Sequence, residues 1–179
     1  MKYMSRMLRI YLKIIRYKGV IDINSKEFYT VRGYHLLEQN KRLITPAMED
    51  YLEMIYRCGL QEGYIRINQL AQLLNVRASS ASKMVQKLGN LGLMKYEKYG
   101  VLVLSEEGKE IGKFLLERHN IIERFLRLLG CSEDNILKQT ELIEHNLHNE
   151  TIHRLEMLIS YFTNNPDVLE QFEYFVKKY

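Results

Sequence analysis

The sequence predicts a mainly α-helical protein with a small β-hairpin near its middle and an all-helical second half. Three observations carry this prediction. From Thr45 onward, apolar residues recur at helical spacing in segments broken by Gly63, Gly92 and Gly130. The stretch LMKYEKYGVLVL (93–104) instead alternates with the period of two that marks strands, around Tyr99-Gly100. Beyond Ser105 every segment returns to helical spacing.

Residues 3–17 (YMSRMLRIYLKIIRY) mix Met, Leu, Ile and Tyr with bases, ahead of Gly19 and the polar DINSKE. Apolar residues on more than one face favour an element packed on the core over a basic amphipathic helix lying on DNA or a membrane. Residues 27–43 read as a helix or irregular arm. Thr45 is a good N-cap and Pro46 suits the first helical position, where its missing N–H costs nothing. That helix is expected to run to about Arg57, with Met48, Leu52, Ile55 and Tyr56 inward and Asp50, Glu53 and Arg57 on the opposite side. RINQLAQLLNV (66–76) gives a second helix burying Ile67, Leu70, Ala71 and Leu74. The RASS turn leads to a third helix over 79–90, on which Ala81, Met84, Val85, Leu88 and Leu91 form the core-facing stripe. Helix, helix, turn, helix, hairpin is the order of a winged helix-turn-helix.

Ser105 N-caps a long helix from Glu106 to about Leu129, with Ile111, Phe114, Leu115, Ile122, Phe125, Leu126 and Leu129 as its apolar face and Gly130 as its stop. Two further amphipathic helices are expected over 133–149 and 150–162, and Asn165-Pro166 starts a last one. These faces exceed what one small domain buries alone, which implies a helical homodimer interface. The organisation expected is a basic extension (1–44), a winged helix-turn-helix domain (45–105) and a helical domain (106–179).

Composition sets outer bounds. Of 179 residues, 46% are hydrophobic and 27% charged, as in an ordinary soluble globular protein. No run approaches the ~18 apolar residues of a transmembrane helix, and Arg9, Lys13, Arg16 and Lys18 interrupt any signal-peptide core. Cys58 and Cys131 lack CxxC spacing and read as packing residues in a reducing cytoplasm. The net charge of +4 is unevenly spread, because residues 1–44 hold ten Lys and Arg against three Asp and Glu.

The arc of the third helix opposite its apolar stripe holds Ser79, Ser80, Ser82, Lys83, Gln86, Lys87 and Asn90. These side-chain types reach phosphates and base edges in a major groove. Arg77 at the turn, and Lys95, Lys98 and Tyr99 on the hairpin, are placed to grip the flanking backbone. Any surface helix shows a polar face; a hairpin with its own bases is what favours double-stranded DNA as the partner.

Three helical stretches also carry candidate metal ligands: Asp50 and Glu53, then His119, then Glu141, Glu144 and His145. Spacings of i, i+3 or i+4 put the side chains of each cluster on one helix face. Acids on helices are usually surface residues, but adjacent carboxylates on one face repel unless a cation sits between them. Four carboxylates and two imidazoles, with no thiolate, suit Mn(II) or Fe(II). His148 extends the last face by a turn and reads as a surface histidine.

Residues 45–162 resemble the diphtheria-toxin-repressor family, especially its manganese transport regulator branch, through TPAMEDYLEMIY, SSASKMVQKL, YEKYGVLVLSEEGKEIGK, RH with FLRLLG, and ELIEH. The resemblance implies a metal-dependent repressor of metal-uptake genes. It also implies a site for two ions per subunit built from Asp50, Glu53, His119, Glu141, Glu144 and His145. The iron-responsive branch typically carries Met and Cys where this chain has Asp50 and Glu141, which argues for manganese. The chain is also expected to lack the SH3-like third domain of that branch. It departs from its relatives at Asn120, often Glu, and in the basic extension.

This ligand layout suggests regulation: without an ion the carboxylates push their helices apart or leave them mobile, and neutralisation fixes them. In a two-fold dimer that would set the recognition helices about one DNA turn, roughly 34 Å, apart. Rival readings are an iron-responsive regulator of the same family, a sensor of an organic ligand, and a di-metal carboxylate enzyme. Against the enzyme, no nucleophile or acid-base pair stands out, and the winged element would have no purpose.

Overall fold

The structure, a computed structural model, describes residues 44–96 and 100–178. The expectations placed on residues 1–43, Lys98 and Tyr99 lie outside the described residues. The elements run α1 (Pro46–Glu62), β1 (Ile65–Arg66), α2 (Ile67–Leu73), α3 (Ala78–Asn90), β2 (Met94–Tyr96), β3 (Val101–Leu104), α4 (Glu106–Leu128), α5 (Glu133–Ile143), a 3-10 turn (Glu144–Asn146), α6 (Asn149–Asn164) and α7 (Pro166–Lys178). Two compact units divide within α4, one to Phe114 and one from Leu115. No helix among the described residues is long and apolar enough to cross a membrane.

The first unit is organised by α1, which packs on α2, α3, β1 and β3. Thr45 caps it, its Oγ1 accepting from the Met48 N–H at 3.4 Å, and Pro46 occupies the first turn. The helix passes Arg57 to Glu62 because nothing before Gly63 stops it; Gly63, at φ +78, then turns the chain. The hairpin gains a strand that the sequence reading missed. β1 pairs antiparallel with β3, Ile65 opposite Leu102, giving the order β1-β3-β2. Two residues are too few for an alternation to show. α2 is shorter than expected, since Asn75 at φ +51 ends it, leaving Ile67 and Leu74 only half-buried.

On α3, Ala81, Val85 and Leu88 are buried as expected and Met84 is half-buried. Leu91 is not in the core; it is 40% exposed. It caps the helix, and Gly92 at φ +75 redirects the chain so that Leu93 takes the inward position.

α4 opens on Ser105, whose Oγ accepts from the Gly108 N–H at 3.0 Å. Two glycines seat its first turns. A Cβ on Gly112 would stand 2.6 Å from the Tyr56 Cβ and 3.0 Å from the Leu52 carbonyl oxygen, and one on Gly108 would collide with the Leu93 carbonyl. Backbone therefore approaches α1 and the start of the hairpin more closely than any side chain permits.

In the second unit Ile121, Ile122, Leu126, Ile136 and Ile152 form the core, with Ile143, Leu147, Leu155 and Ile159 against it. The single helix expected over 133–149 is two pieces. α5 stops at Ile143, Glu144–Asn146 winds as a 3-10 turn, and Leu147 and His148 are extended before α6. Asn146 turns its side-chain amide back onto the Leu142 carbonyl at 3.1 Å, a local competition that weakens helix continuation. α7 lies on α6 through Phe162 and Phe172, ring centroids 5.3 Å apart. Leu137, Leu142, Met157, Tyr161, Tyr174 and Phe175 are exposed, a large apolar surface for one small unit.

The glycine seat makes a paired prediction. Gly112→Ala should destabilise the protein by about 1–3 kcal/mol through overpacking. Gly59→Ala, whose Cβ meets nothing within 4 Å, should stabilise it by roughly 0.5–1 kcal/mol through helix propensity. Denaturant unfolding of both variants checks the opposite signs.

Candidate metal centre and nucleic-acid interface

In the second unit α4 brings His119 inside, on the face that also buries Leu115, Ile122 and Leu126. Its Nδ1 lies 3.1 Å from Glu144 Oε2 and 3.8 Å from Glu141 Oε1. Its Nε2 lies 3.3 Å from Glu123 Oε1. His119 and Glu144 are each only 1% exposed. The other oxygen of Glu144 lies 3.5 Å from His145 Nε2, and buried Arg118 donates from Nη2 to His145 Nδ1 at 3.2 Å. Glu141, on the last turn of α5, is exposed but within reach: Glu141, Glu144 and His145 each offer a donor atom within 4.8 Å of the other two.

The structure thus gathers His119, Glu141, Glu144 and His145, although Glu144 and His145 sit on a 3-10 turn and not on the helix that was to align them. That turn swings Glu144 from the surface line of Glu141 to full burial. An ionised carboxylate out of water costs several kcal/mol unless charge and hydrogen bonds compensate. Oxygen and imidazole donors at this spacing fit a divalent cation, and the buried Thr140 hydroxyl, beside Glu141 in the chain, has no hydrogen-bond partner among the described residues. His148 is exposed at the N-cap of α6, as a surface histidine should be.

In the first unit Asp50 and Glu53 lie one turn apart on α1, but not on a solvent face. Glu53 is 7% exposed, and its Oε1 accepts from Arg57 Nε at 2.9 Å and Nη2 at 2.6 Å. Asp50 is half-buried. Burial, followed by the Asp50 charge, pushes the neighbouring Tyr51 phenol above its ordinary pKa. The sequence reading also missed Glu49, at 2% exposure. Its position one turn before Leu52 on the inward face was the available signal. Glu123 was equally visible, one helical turn after His119.

The candidate nucleic-acid residues lie on α3, at the turn before it and on β2. Arg77, Ser79, Ser80, Lys83, Gln86 and Lys87 are exposed, as is Lys95 on β2. Ser82 is half-buried, and its hydroxyl donates to the Ala78 carbonyl at 3.0 Å, which makes it part of the helix more than of the reading face. The first turn of α3 carries no acid, so its N-terminal dipole favours phosphate.

Comparison with known proteins finds relatives of both halves of the chain. Residues 43–102 match the family described as iron dependent repressor, N-terminal DNA binding domain. Residues 105–173 match its companion, iron dependent repressor, metal binding and dimerisation domain. The chain is 42% identical over 129 residues to the HTH-type transcriptional regulator MntR of Lysinibacillus sphaericus, covering 72% of this chain and 93% of that protein. It is 46% identical over 120 residues to MntR of Bacillus subtilis, covering 67% of this chain and 84% of that protein. Among solved structures, the manganese regulator SloR aligns with TM-score 0.58 at 31% identity, over 66% of this chain and 55% of that one. The metal-dependent transcriptional regulator MtsR aligns with TM-score 0.60 at 30% identity, over 66% and 55%. The chain therefore spans about half the length of these solved chains.

A winged reading head joined to a helical half that carries carboxylates and imidazoles defines a metal-dependent DNA-binding transcriptional regulator, not an enzyme. This chain belongs to the diphtheria-toxin-repressor family, in its manganese transport regulator branch.

Neither cysteine is part of the donor set. Burial pushes the Cys58 thiol above its ordinary pKa, the Glu62 charge adds to this, and Arg57 opposes it. Cys131 is only half-buried. In the folded protein, iodoacetamide near pH 8 should label Cys131 well before Cys58, and denaturant should abolish the difference; mass spectrometry of the labelled peptides reads it.

Proposed function

We propose that this protein is a cytoplasmic, manganese-responsive repressor of metal-uptake genes that binds a double-stranded DNA operator as a homodimer. Its ligands are Asp50, Glu53, His119, Glu141, Glu144 and His145, for two Mn(II) ions per subunit. The observation that carries this reading is Glu144, a fully buried carboxylate with an imidazole on either oxygen. A buried carboxylate between two imidazoles offers oxygen and nitrogen donors of the kind a divalent cation takes.

The bound ion supplies positive charge that cancels carboxylate repulsion. The chain's residues do the rest. His119 on α4, Glu141 at the end of α5, and Glu144 and His145 on the 3-10 turn bring donors from three segments of the helical half. Asp50 and Glu53 ride on α1, the helix on which α3 is packed. Metal binding by these donors would fix the helices that carry them and favour the DNA-competent state by differential affinity. Oxygen donors at Asp50 and Glu141 select for hard ions, whereas affinity alone would favour later first-row metals. On α3, Gln86 and Ser79 read base edges while Lys83 and Lys87 hold phosphate. The basic extension adds affinity through phosphate contacts.

Two outcomes test this. Operator binding by the wild-type protein should require Mn(II), and Glu144→Ala or His145→Ala should abolish the response while the circular dichroism spectrum stays native. Equal operator affinity with and without Mn(II) would end the sensor reading. In fluorescence anisotropy across salt, Lys83→Ala should weaken every sequence alike and lower the salt slope by about 1, whereas Gln86→Ala should relax preference at one base position.

A further inference from the structure

We propose that Glu123 is a positioning residue for the metal centre: its carboxylate accepts a hydrogen bond from the Nε2–H of His119 and thereby leaves Nδ1 as the donor nitrogen. This rests on the reading of His119 as a ligand. A neutral imidazole carries one N–H and one lone pair, and the partner of one nitrogen decides what the other offers. Here both nitrogens face carboxylates. Nδ1 meets Glu144 at 3.1 Å and Glu141 at 3.8 Å, the residues of the donor cluster, while Nε2 meets Glu123 at 3.3 Å. Binding a cation at Nδ1 requires the proton at Nε2, and Glu123 Oε1 is the acceptor waiting there.

Glu123 is itself held. Its Oε2 accepts from Arg127 Nη1 at 3.1 Å, one turn further along α4. Arg127 is in turn gripped by Glu133, the first residue of α5: Nε lies 2.9 Å from Oε1 and Nη2 3.2 Å from Oε2. The relay Glu133–Arg127–Glu123–His119 therefore runs from the exposed start of α5 to a buried ring. Its outer links, Arg127 with Glu123 within α4 and Arg127 with Glu133 across to α5, are solvent-exposed ion pairs of the kind that contribute little to stability. Its inner end is different, because His119 is buried and its ring orientation has no water to adjust to. Glu123 acts on the ring edge opposite the cluster, with both oxygens already engaged, so it orients the ligand and does not join it. Outer partners of this kind tune metal affinity strongly when removed.

The experiment compares Mn(II) affinity by isothermal titration of the full chain for wild type, Glu123→Ala, Glu123→Gln and His119→Ala. Nitrogen-15 shifts of the His119 ring are measured in the Cd(II)-loaded protein. Glu123→Ala should weaken Mn(II) binding about 10- to 100-fold and shift the ring away from a single Nε2–H tautomer. Glu123→Gln, whose amide oxygen still accepts a hydrogen bond, should recover most of the affinity and the wild-type shifts. Unchanged affinity and tautomer in Glu123→Ala, with His119→Ala inactive, overturns this inference alone. Loss of one ion from the stoichiometry in both Glu123 variants, with His119 shifts unchanged, makes Glu123 a ligand and also overturns it. Unchanged Mn(II) binding in His119→Ala would instead sink the ligand reading beneath it. If Glu123→Ala fails to fold, the Glu123→Gln shifts still decide: a ring in the other tautomer overturns the assignment.

Discussion

Burying the Glu144 carboxylate against His119, 3.1 Å away, is the constraint around which the helical half is built. A carboxyl group with 1% exposure needs polar partners, because desolvating an acid in its charged form costs several kcal/mol. The chain answers by ending α5 at Ile143 and tightening into a 3-10 turn, which points Glu144 inward and sets His145 beside it. A straight helix through residue 149 would have kept Glu141, Glu144 and His145 in one surface line. The break in the helix and the burial of the acid are two sides of one arrangement.

In each unit a guanidinium stands beside one of the candidate donors. Arg57 closes on Glu53 in the first unit, and Arg118, itself buried, donates to His145 in the second. The Arg57 guanidinium lowers the cost of keeping the Glu53 carboxylate out of water.

The first unit solves a different problem, that of presenting a polar reading helix from a small core. α1 meets α2, α3 and both outer strands' neighbour β3, so one helix supports the whole head. Gly108 and Gly112 let the first turns of α4 lie at backbone distance from Leu93, Leu52 and Tyr56. α4 begins against the core of the first unit and carries the buried His119 further along its length.

Local chemistry alone made much of this legible. Thr45-Pro46, Ser105, Gly130 and Asn165-Pro166 punctuate the helices where the sequence says, since caps and left-handed turns act over three or four residues. The donor types, without thiolate, and the polar arc of α3 were equally plain. Tertiary packing decided the rest. β1 exists only because β3 offers it hydrogen bonds, Leu93 displaces Leu91 because Gly92 turns the chain, and Glu49 and Glu53 are inside because α1 is covered on more than one face. The bend at Glu144 and the relay from Glu133 to His119 depend on segments far apart in sequence meeting in space. Periodicity records which face of a helix is apolar; it holds no record of which neighbour will pull a polar side chain across that line.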